Sequence, residues 1–81
     1  PCECWFLTND DSIDISISYY DCTNTLSCAV CPVSTTIFLC VAPGQGGNVT
    51  LSYGTGCAGG PTPSYIWAPL GTNCTTAGDC Y

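Results

Sequence analysis

The side chains that most enzymes use as bases or nucleophiles are largely missing from this sequence, because its 81 residues include no His, Lys or Arg. Without His, no Ser–His or Cys–His pair can form, and without Lys there is neither a Schiff base nor a Lys–Asn isopeptide bond. Carboxylates remain, but Asp10, Asp11 and Asp14 are too close in sequence to flank a substrate as glycosidase carboxylates do. The sequence therefore predicts a protein that is not an enzyme and carries no cofactor.

Two groups of residues have side chains suited to metal ions. Cys2-x-Cys4 and Cys28-x-x-Cys31 offer four thiols, as a structural zinc site needs, although disulfides are the commoner use in an acidic secreted chain. Asp10, Asp11 and Asp14 place hard oxygen ligands on one loop, which makes them a weak calcium candidate. This loop lacks the EF-hand spacing, so a solvated turn is the favoured interpretation and no metal site is predicted.

Cysteine is the most informative residue type, since nine among 81 residues mark a disulfide scaffold. The candidates for disulfide bonds are Cys2, Cys4, Cys22, Cys28, Cys31, Cys40, Cys57, Cys74 and Cys80. Because nine is odd, at least one of them is free, modified or bonded to another chain. We expect Cys74 or Cys80, near the C-terminus, to supply that thiol and to bond a neighbouring chain. The cysteine density predicts an oxidising compartment, and hence an extracellular, cell-surface or virion-surface location.

The net charge is −6, from six acidic residues without one basic side chain. Nucleic acids and anionic membranes are bound through Lys and Arg, so neither is a predicted partner. Membrane insertion is not predicted either, because the longest apolar run, residues 37–42, has the size of a strand. The chain contains no Met, and we expect that a signal or propeptide was removed before Pro1.

Alternation of apolar and polar residues predicts β-strands through most of residues 2–57, and no segment has the period and caps of a helix. The clearest strand is 13–19, where one face carries Ile13, Ile15, Ile17 and Tyr19. Other strands are predicted within 2–8, 26–33, 34–41 and 49–53. The predicted fold is all-β: a small disulfide-stapled β-sandwich or partly open barrel, followed by an irregular C-terminal tail.

The composition changes after Gly54, where Gly and then Pro become frequent. We therefore divide the chain into a β-sandwich body, residues 1–57, and a Gly/Pro-rich extended tail, residues 58–81. Tyr65, Ile66 and Trp67 form an apolar island that is too short to build its own core, and we expect it to dock on a neighbouring subunit by strand addition. The alternative is a tail that wraps its own body, with both of its cysteines paired internally.

Two further features suggest contact with sugars. Asn48-Val49-Thr50 and Asn73-Cys74-Thr75 match the N-glycosylation pattern, so Asn48 and Asn73 are candidate sites for attached glycans. Several aromatic side chains could form a platform for sugar stacking, although packing in a core or an interface is the commoner use of such rings. They are Trp5, Tyr19, Tyr20, Tyr53, Tyr65 and Trp67.

Part of the cysteine pattern resembles a known group of proteins. Small cysteine-bearing β modules occur in surface proteins of Bacteroidetes-type bacteria and in metagenomic virion proteins, and the similar motifs are Cys4-x₃-Thr8-Asn9, Tyr20-Asp21-Cys22, Cys40-x₃-Gly44 and a β run closing at Cys57. The resemblance covers residues 2–57 and implies a β-sandwich module used for architecture or adhesion, without catalytic residues. Cys28-x-x-Cys31 and the two C-terminal cysteines depart from the pattern.

The function predicted from these observations is a structural subunit of an extracellular filament, appendage or coat, with itself as the main partner in a homopolymer. An open β-sandwich has an edge that a neighbour's strand can fill, and repetition of such a contact makes a fibre. The alternative is a monomeric secreted module that binds carbohydrate or a host protein. A small effector or toxin is less favoured, because membrane-active peptides are usually basic.

Overall fold

The computed structural model describes residues 1–80, which form two three-stranded antiparallel sheets. Sheet A has the order β4-β1-β6 and sheet B the order β3-β2-β5. The elements are β1 Cys2–Asn9, β2 Ile15–Tyr20, β3 Leu26–Cys31, β4 Thr36–Val41, β5 Thr50–Tyr53, β6 Tyr65–Cys74 and a 3₁₀ helix Ala77–Cys80. The predicted all-β, disulfide-stapled fold is confirmed. The two sheets do not close into a barrel, so the sandwich is the form that the chain adopts.

The hydrophobic core lies between the two sheets. Ile15 and Ile17 of β2 are fully buried there and pack with Leu7 of β1 and Val41 of β4. Each such aliphatic side chain stabilises the fold by about 1.5–3 kcal/mol when it is removed from water. The alternation predicted for residues 13–19 is confirmed for these central positions, whereas Ile13 precedes the strand and is 45% exposed. So small a core explains why the chain needs covalent cross-links.

The connection from β5 to β6 crosses the outer face of sheet B. The Cys57 N–H donates to Ser16 Oγ (2.9 Å), and the Gly59 N–H donates to Ser52 Oγ (3.1 Å). A disulfide between Cys28 and Cys57 holds the crossing segment against β3. Ser16 and Ser52 are fully buried as a result, although the alternation of β2 places Ser16 on its polar face.

The division of the chain at residue 57 is wrong, because residues 65–74 are a strand of the same molecule. β6 pairs antiparallel with β1 over most of its length, and Ile66 lies opposite Thr8 while Trp67 lies opposite Leu7. The expected strand addition to a neighbouring subunit is therefore corrected: Tyr65, Ile66 and Trp67 pair with β1 of their own chain, although the side chains of Tyr65 and Ile66 stay exposed. Without β6, β1 would be an unprotected edge strand, and pairing within the chain satisfies its backbone groups at no cost in association entropy. Residue 81, the last of the predicted tail, lies outside the described residues.

The four disulfides are Cys2–Cys22, Cys4–Cys80, Cys28–Cys57 and Cys40–Cys74. All of them close within the chain, so Cys74 and Cys80 are not the source of an unpaired thiol. The free cysteine is Cys31, which lies in the core with no exposed surface. Its assignment to a disulfide is corrected: at the end of β3 it faces Leu7 and Ile15 rather than another cysteine. Four internal disulfides indicate an oxidising, extracellular environment.

Candidate docking and binding surfaces

Three of the disulfides gather at one end of the sandwich. Cys2, Cys4, Cys40 and Cys74 form a second buried cluster there, and the 3₁₀ helix packs over it against β4 and β6. Two groups of three sulfur atoms occur here, and the three atoms of each group lie within 4.8 Å of one another. Every one of these sulfurs belongs to a disulfide, so none can act as a thiolate ligand. The zinc alternative fails for its other pair as well, since Cys28 is bonded to Cys57. This end of the molecule is therefore a covalently fixed scaffold.

The Asp10–Asp14 loop at the opposite end of β1 serves the fold. Asp11 Oδ2 accepts hydrogen bonds from the Tyr53 hydroxyl and the Ser64 N–H, both at 2.9 Å. Hydrogen bonds from the Ser64 and Ser12 N–H groups, and then from the Tyr53 hydroxyl, hold the pKa of Asp11 below its usual value. The same hydrogen bond, accepted by a carboxylate, raises the pKa of Tyr53. Asp11 thus joins β5 and the start of β6 to this loop.

The three aspartates proposed as a weak calcium candidate are not brought together. Asp11 is engaged as described above, and Asp14 Oδ1 accepts a hydrogen bond from the Val33 N–H at 3.1 Å. Among residues 1–80, the groups of three or more candidate ligand atoms consist of cysteines alone, so Asp10, Asp11 and Asp14 do not form such a group. The separate hydrogen bonds of Asp11 and Asp14 support the interpretation of a structural turn.

Asn9, beside the Asp10–Asp14 loop, has a structural role that the sequence analysis did not identify. Its side chain is 3% exposed and donates to the carbonyls of Ile13 (2.8 Å) and Cys31 (2.9 Å), while its Oδ1 accepts from the Asp11 N–H (2.8 Å). The last contact is an Asx turn, a pattern that an Asn-x-Asp sequence allows. The amide therefore ties the end of β1 to the end of β3 in the other sheet.

Most of the six aromatic residues pack against the core, which is the favoured use, and they do not form a sugar-stacking platform. Trp5 and Trp67 stack on each other with ring centroids 5.0 Å apart, and the Trp67 Nε1–H donates to the Gly46 carbonyl at 2.8 Å. Both rings pack against the core, as Tyr19 and Tyr53 also do. Core packing, the commoner use of aromatic side chains, thus accounts for four of the six residues. The remaining two lie apart, Tyr20 at the end of β2 and Tyr65 at the start of β6.

A groove of about 360 Å³ opens between β1 and β6, where their pairing shifts register. Glu3 lies opposite Asn73 and Trp5 opposite Pro69, so that one intervening residue of β1 faces three of β6. The longer strand bows outward, and Gly71, with φ of 79°, takes a left-handed conformation that other residues rarely adopt. The bulge makes the groove.

The polar groups of this groove are partly unoccupied. Glu3 Oε1 accepts a hydrogen bond from the Trp5 indole N–H at 3.1 Å, which orients the carboxylate. The side chains of Thr72 and Asn73 are exposed and make no hydrogen bond within residues 1–80. The groove therefore offers a carboxylate oxygen, a hydroxyl and an amide, and no basic group.

The outer face of sheet A is apolar at the end away from the 3₁₀ helix. Phe6 lies between Phe38 of β4 and Ala68 of β6, and the next row holds Thr36, Thr8 and Ile66. The two threonine hydroxyls hydrogen bond to each other at 2.8 Å. We call these six residues the apolar face: Phe6, Thr8, Thr36, Phe38, Ile66 and Ala68. Sequence reasoning missed it, although the apolar run Trp5-Phe6-Leu7 shows that β1 has apolar residues on both sides.

Both glycosylation candidates are exposed. Asn48 lies in the β4–β5 loop, where its amide donates to Gln45 Oε1 at 2.6 Å, and Asn73 lies at the rim of the groove. The Thr75 hydroxyl of the second pattern donates to Asp79 Oδ2 at 2.6 Å. Attachment of glycans at Asn48 and Asn73 stays a prediction.

Comparisons with protein-family models, with characterised proteins and with solved structures give no match to this chain. Among the described residues, no helix has the length and hydropathy needed to cross a membrane. The functional interpretation consequently depends on the surfaces described above.

Proposed function

We propose that this chain is a rigid, non-catalytic structural module of an extracellular assembly, such as an appendage or coat on a cell or virion surface. The observation that carries the proposal is the covalently closed body, in which four disulfides fix strands, connections and the 3₁₀ helix to one another. Four disulfides and the pairing of β6 with β1 leave no described segment free to be exchanged between subunits. The module therefore joins its neighbours as a preformed block, not by tail docking or intermolecular disulfides.

The side chains of the molecule support a structural role. Asp11, Asp21 and Asp79, three of the six acidic residues, accept hydrogen bonds from their own loops and hold turns in place. The free thiol is enclosed in the core, away from any substrate. A preorganised block of this kind pays little conformational entropy when it binds, which suits a repeated contact.

Carbodiimide cross-linking of native extracellular material provides the test. This reagent joins carboxylates to primary amines, and the chain has six carboxylates but no lysine. Amide cross-links from its aspartates therefore identify lysines of neighbouring proteins. We expect such cross-links, together with release of the chain by denaturant without reductant. Recovery of a free monomer with no cross-link would contradict the proposal.

A second candidate function is carbohydrate binding in the groove between β1 and β6. The oriented Glu3 carboxylate and the unengaged side chains of Thr72 and Asn73 can hydrogen bond to the hydroxyls of a neutral sugar. Titration with neutral oligosaccharides should then shift the Trp5 indole resonance, and Glu3→Gln should weaken this effect while Asp14→Asn leaves it unchanged. Absence of any shift at saturating sugar concentrations would dismiss this candidate.

A further inference from the structure

Strand β3 is an edge strand with one open side. Sheet B has the order β3-β2-β5, so β3 pairs with β2 on one side and with no strand of residues 1–80 on the other. Natural proteins usually protect such an edge with a charged residue, a proline or a bulge. The six residues Leu26–Cys31 contain none of these, and Pro32 follows only after the strand has ended. β3 therefore offers backbone groups with which another strand can pair.

The other edges of the two sheets are less available. β5 has only four residues, and β6 carries the bulge and Pro69. β4 is bridged to Asp21 at Val41, its last residue. Short strands, bulges and prolines are the devices that keep an edge from pairing, so β3 is the edge best suited to take a further strand.

The hydrogen bonds around β2 show which backbone groups of β3 point to the open side. The Tyr20 carbonyl accepts from the Ala42 N–H at 3.0 Å, so it does not face Leu26, its partner in β3. Tyr20 and Leu26 are thus a non-hydrogen-bonded pair, and such pairs alternate with hydrogen-bonded ones along an antiparallel ladder. The N–H and C=O groups of Leu26, Cys28 and Val30 therefore point to the open side.

The same three residues carry an exposed apolar surface. Ala29 packs against the core and Cys31 lies in it. Because side chains alternate along a strand, Leu26, Cys28 and Val30 face the outer side of sheet B. Leu26 is 60% exposed and Val30 is 40% exposed, and between them Cys28 is bonded to the crossing connection. Open backbone groups and exposed aliphatic side chains thus lie together along one edge.

A carboxylate lies at each end of β3. Asp21 Oδ2 accepts a hydrogen bond from the Ser27 hydroxyl at 2.7 Å, and Asp14 Oδ1 accepts one from the Val33 N–H at 3.1 Å. A second copy that paired antiparallel through β3 would bring its Asp14 end to the Asp21 end of the first, and parallel pairing would bring like ends together. Neither copy has a Lys or Arg to offset this repulsion. A partner strand with a basic residue at each end meets no such penalty.

Resting on the proposed structural role, we infer that the open edge of β3 is the docking surface for an extended segment of a different protein, apolar at alternate positions and with Lys or Arg at its ends. The segment adds to sheet B as a fourth strand and pairs with the backbone of Leu26, Cys28 and Val30. Its apolar side chains lie beside Leu26 and Val30. Its basic ends pair with Asp14 and Asp21.

The size of this contact predicts its strength. Six residues are few compared with the roughly 20–30 a side of a standard interface. A single contact is therefore weak, and it gains strength by repetition in the assembly.

Amide hydrogen exchange of the free, oxidised, ¹⁵N-labelled chain tests whether the edge is open. We expect fast exchange at Leu26, Cys28 and Val30, and slower exchange at Ser27 and Ala29, whose N–H groups point to β2. Equal protection of both sets would show that the edge is covered and would overturn the inference.

Titration of the same chain with three synthetic peptides of equal length tests the partner. One has alternating Val and Thr between Lys ends, one has the same centre between Glu ends, and one repeats the first with N-methylated central amides, which cannot pair with a strand. We expect the first alone to slow the exchange at Leu26, Cys28 and Val30, and to bind less tightly as the salt concentration rises. No effect of the first peptide, or equal binding of either of the others, would overturn the inference.

Variants of exposed residues sharpen this test. Leu26→Thr should weaken binding of the Lys-ended peptide about fivefold or more, as loss of a central contact does. Asp14→Asn keeps an oxygen that can accept from the Val33 N–H, and it should reduce the salt dependence. The matched control is Ile66→Thr, because Ile66 is 51% exposed on β6 of the other sheet and should have no effect. If Leu26→Thr binds as well as the parent chain, the inference is wrong.

Further outcomes separate this inference from the proposed function. Sedimentation of the free chain as a dimer that Leu26→Thr dissociates would make a second copy the occupant and overturn the basic partner. Carbodiimide cross-links in native material should start from Asp14 or Asp21. Cross-links from the other carboxylates alone would overturn the inference, while the structural role would stand. Absence of all cross-links would remove the structural role itself.

Discussion

Single residues show that the acidic and sulfur groups of this chain act mainly on its own fold. Asn9 joins the ends of two strands in different sheets, and Asp11 fastens the start of β6. Asp21 organises the β2–β3 turn, and Cys31 fills space in the core. From residue type alone, Asp11, Asp21 and Cys31 would be taken for reactive groups. Their hydrogen bonds and burial give them structural roles instead.

Cys31 should be unreactive towards thiol reagents in the native protein. Its side chain has no exposed surface, its thiol donates to the Thr35 carbonyl at 3.2 Å, and burial raises its pKa. A thiol reagent such as Ellman's should therefore detect no thiol in the native chain and one per chain in denaturant. Cys31→Ala should give none in either condition. More than one thiol in denaturant would contradict the pairing of the other cysteines.

Asp21 should make stability depend on pH in the acid range. Its carboxylate accepts hydrogen bonds from the Thr23 hydroxyl, the Ser27 hydroxyl and the Thr25 N–H, which lower its pKa from 3.8 to about 2. A depressed folded-state pKa means that this stabilisation is present above 3.8 and is lost as the pH falls towards about 2. Denaturant unfolding should show a smaller loss of stability across this window for Asp21→Asn than for the parent chain. An identical pH profile would refute the assignment.

At the scale of elements, short connections do as much as strands to close the sandwich. The β5–β6 connection buries two serines of sheet B, and the β4–β5 loop packs on the paired tryptophans. The bulge in β6 lets its end reach the cysteine cluster, where Cys74 pairs with Cys40. These contacts join residues far apart in sequence.

Gly46 should be the least replaceable residue of the β4–β5 loop. An added Cβ there would lie 2.0 Å from Trp5 Cζ2, in a ring that already stacks on Trp67. Gly46→Ala should therefore lower the free energy of unfolding by about 1–3 kcal/mol, as overpacking does. Gly47→Ala is the control, because its Cβ meets nothing within 4 Å, and a change within about 0.5 kcal/mol is expected. Equal effects in thermal or denaturant unfolding would argue against this packing.

At the scale of the whole molecule, stability comes from covalent cross-links around a small core. The chain has no basic side chain for a salt bridge, and its buried aliphatic residues are few. Strands β1, β3, β4 and β6 each carry a disulfide-bonded cysteine, and Cys22 and Cys57 follow β2 and β5. Reduction of the disulfides should therefore destabilise both sheets of the sandwich.

Reduction should destabilise the protein far more than acid does. Removing one native disulfide from a small secreted domain typically costs about 2–5 kcal/mol, and this chain has four. Acid removes hydrogen bonds to carboxylates that are exposed or partly buried, and protonation also relieves repulsion within the charge of −6. Melting curves near neutral and acid pH, with and without reductant, measure both effects. A larger drop in melting temperature from acid than from reductant would refute this prediction.

The sequence by itself determined the all-β class, the central strand around Ile15 and Ile17, and the dependence on disulfides. These properties follow from composition and from a period of two, which act over a few residues. It also established that one cysteine is unpaired, because nine is odd. Only the tertiary structure decided that this cysteine is Cys31, since pairing depends on which strands become neighbours.

The tertiary structure alone also decided the conformation of residues 58–80 and which side chains form each surface. Pro69 and Gly71 make β6 look irregular in sequence, yet β1 provides the backbone partners that turn it into a strand. Trp5 packs against the core and Phe6 belongs to the apolar face, although the two are adjacent in sequence. The side of a strand that meets the core depends on how the sheets are stacked, which is a property of contacts distant along the chain.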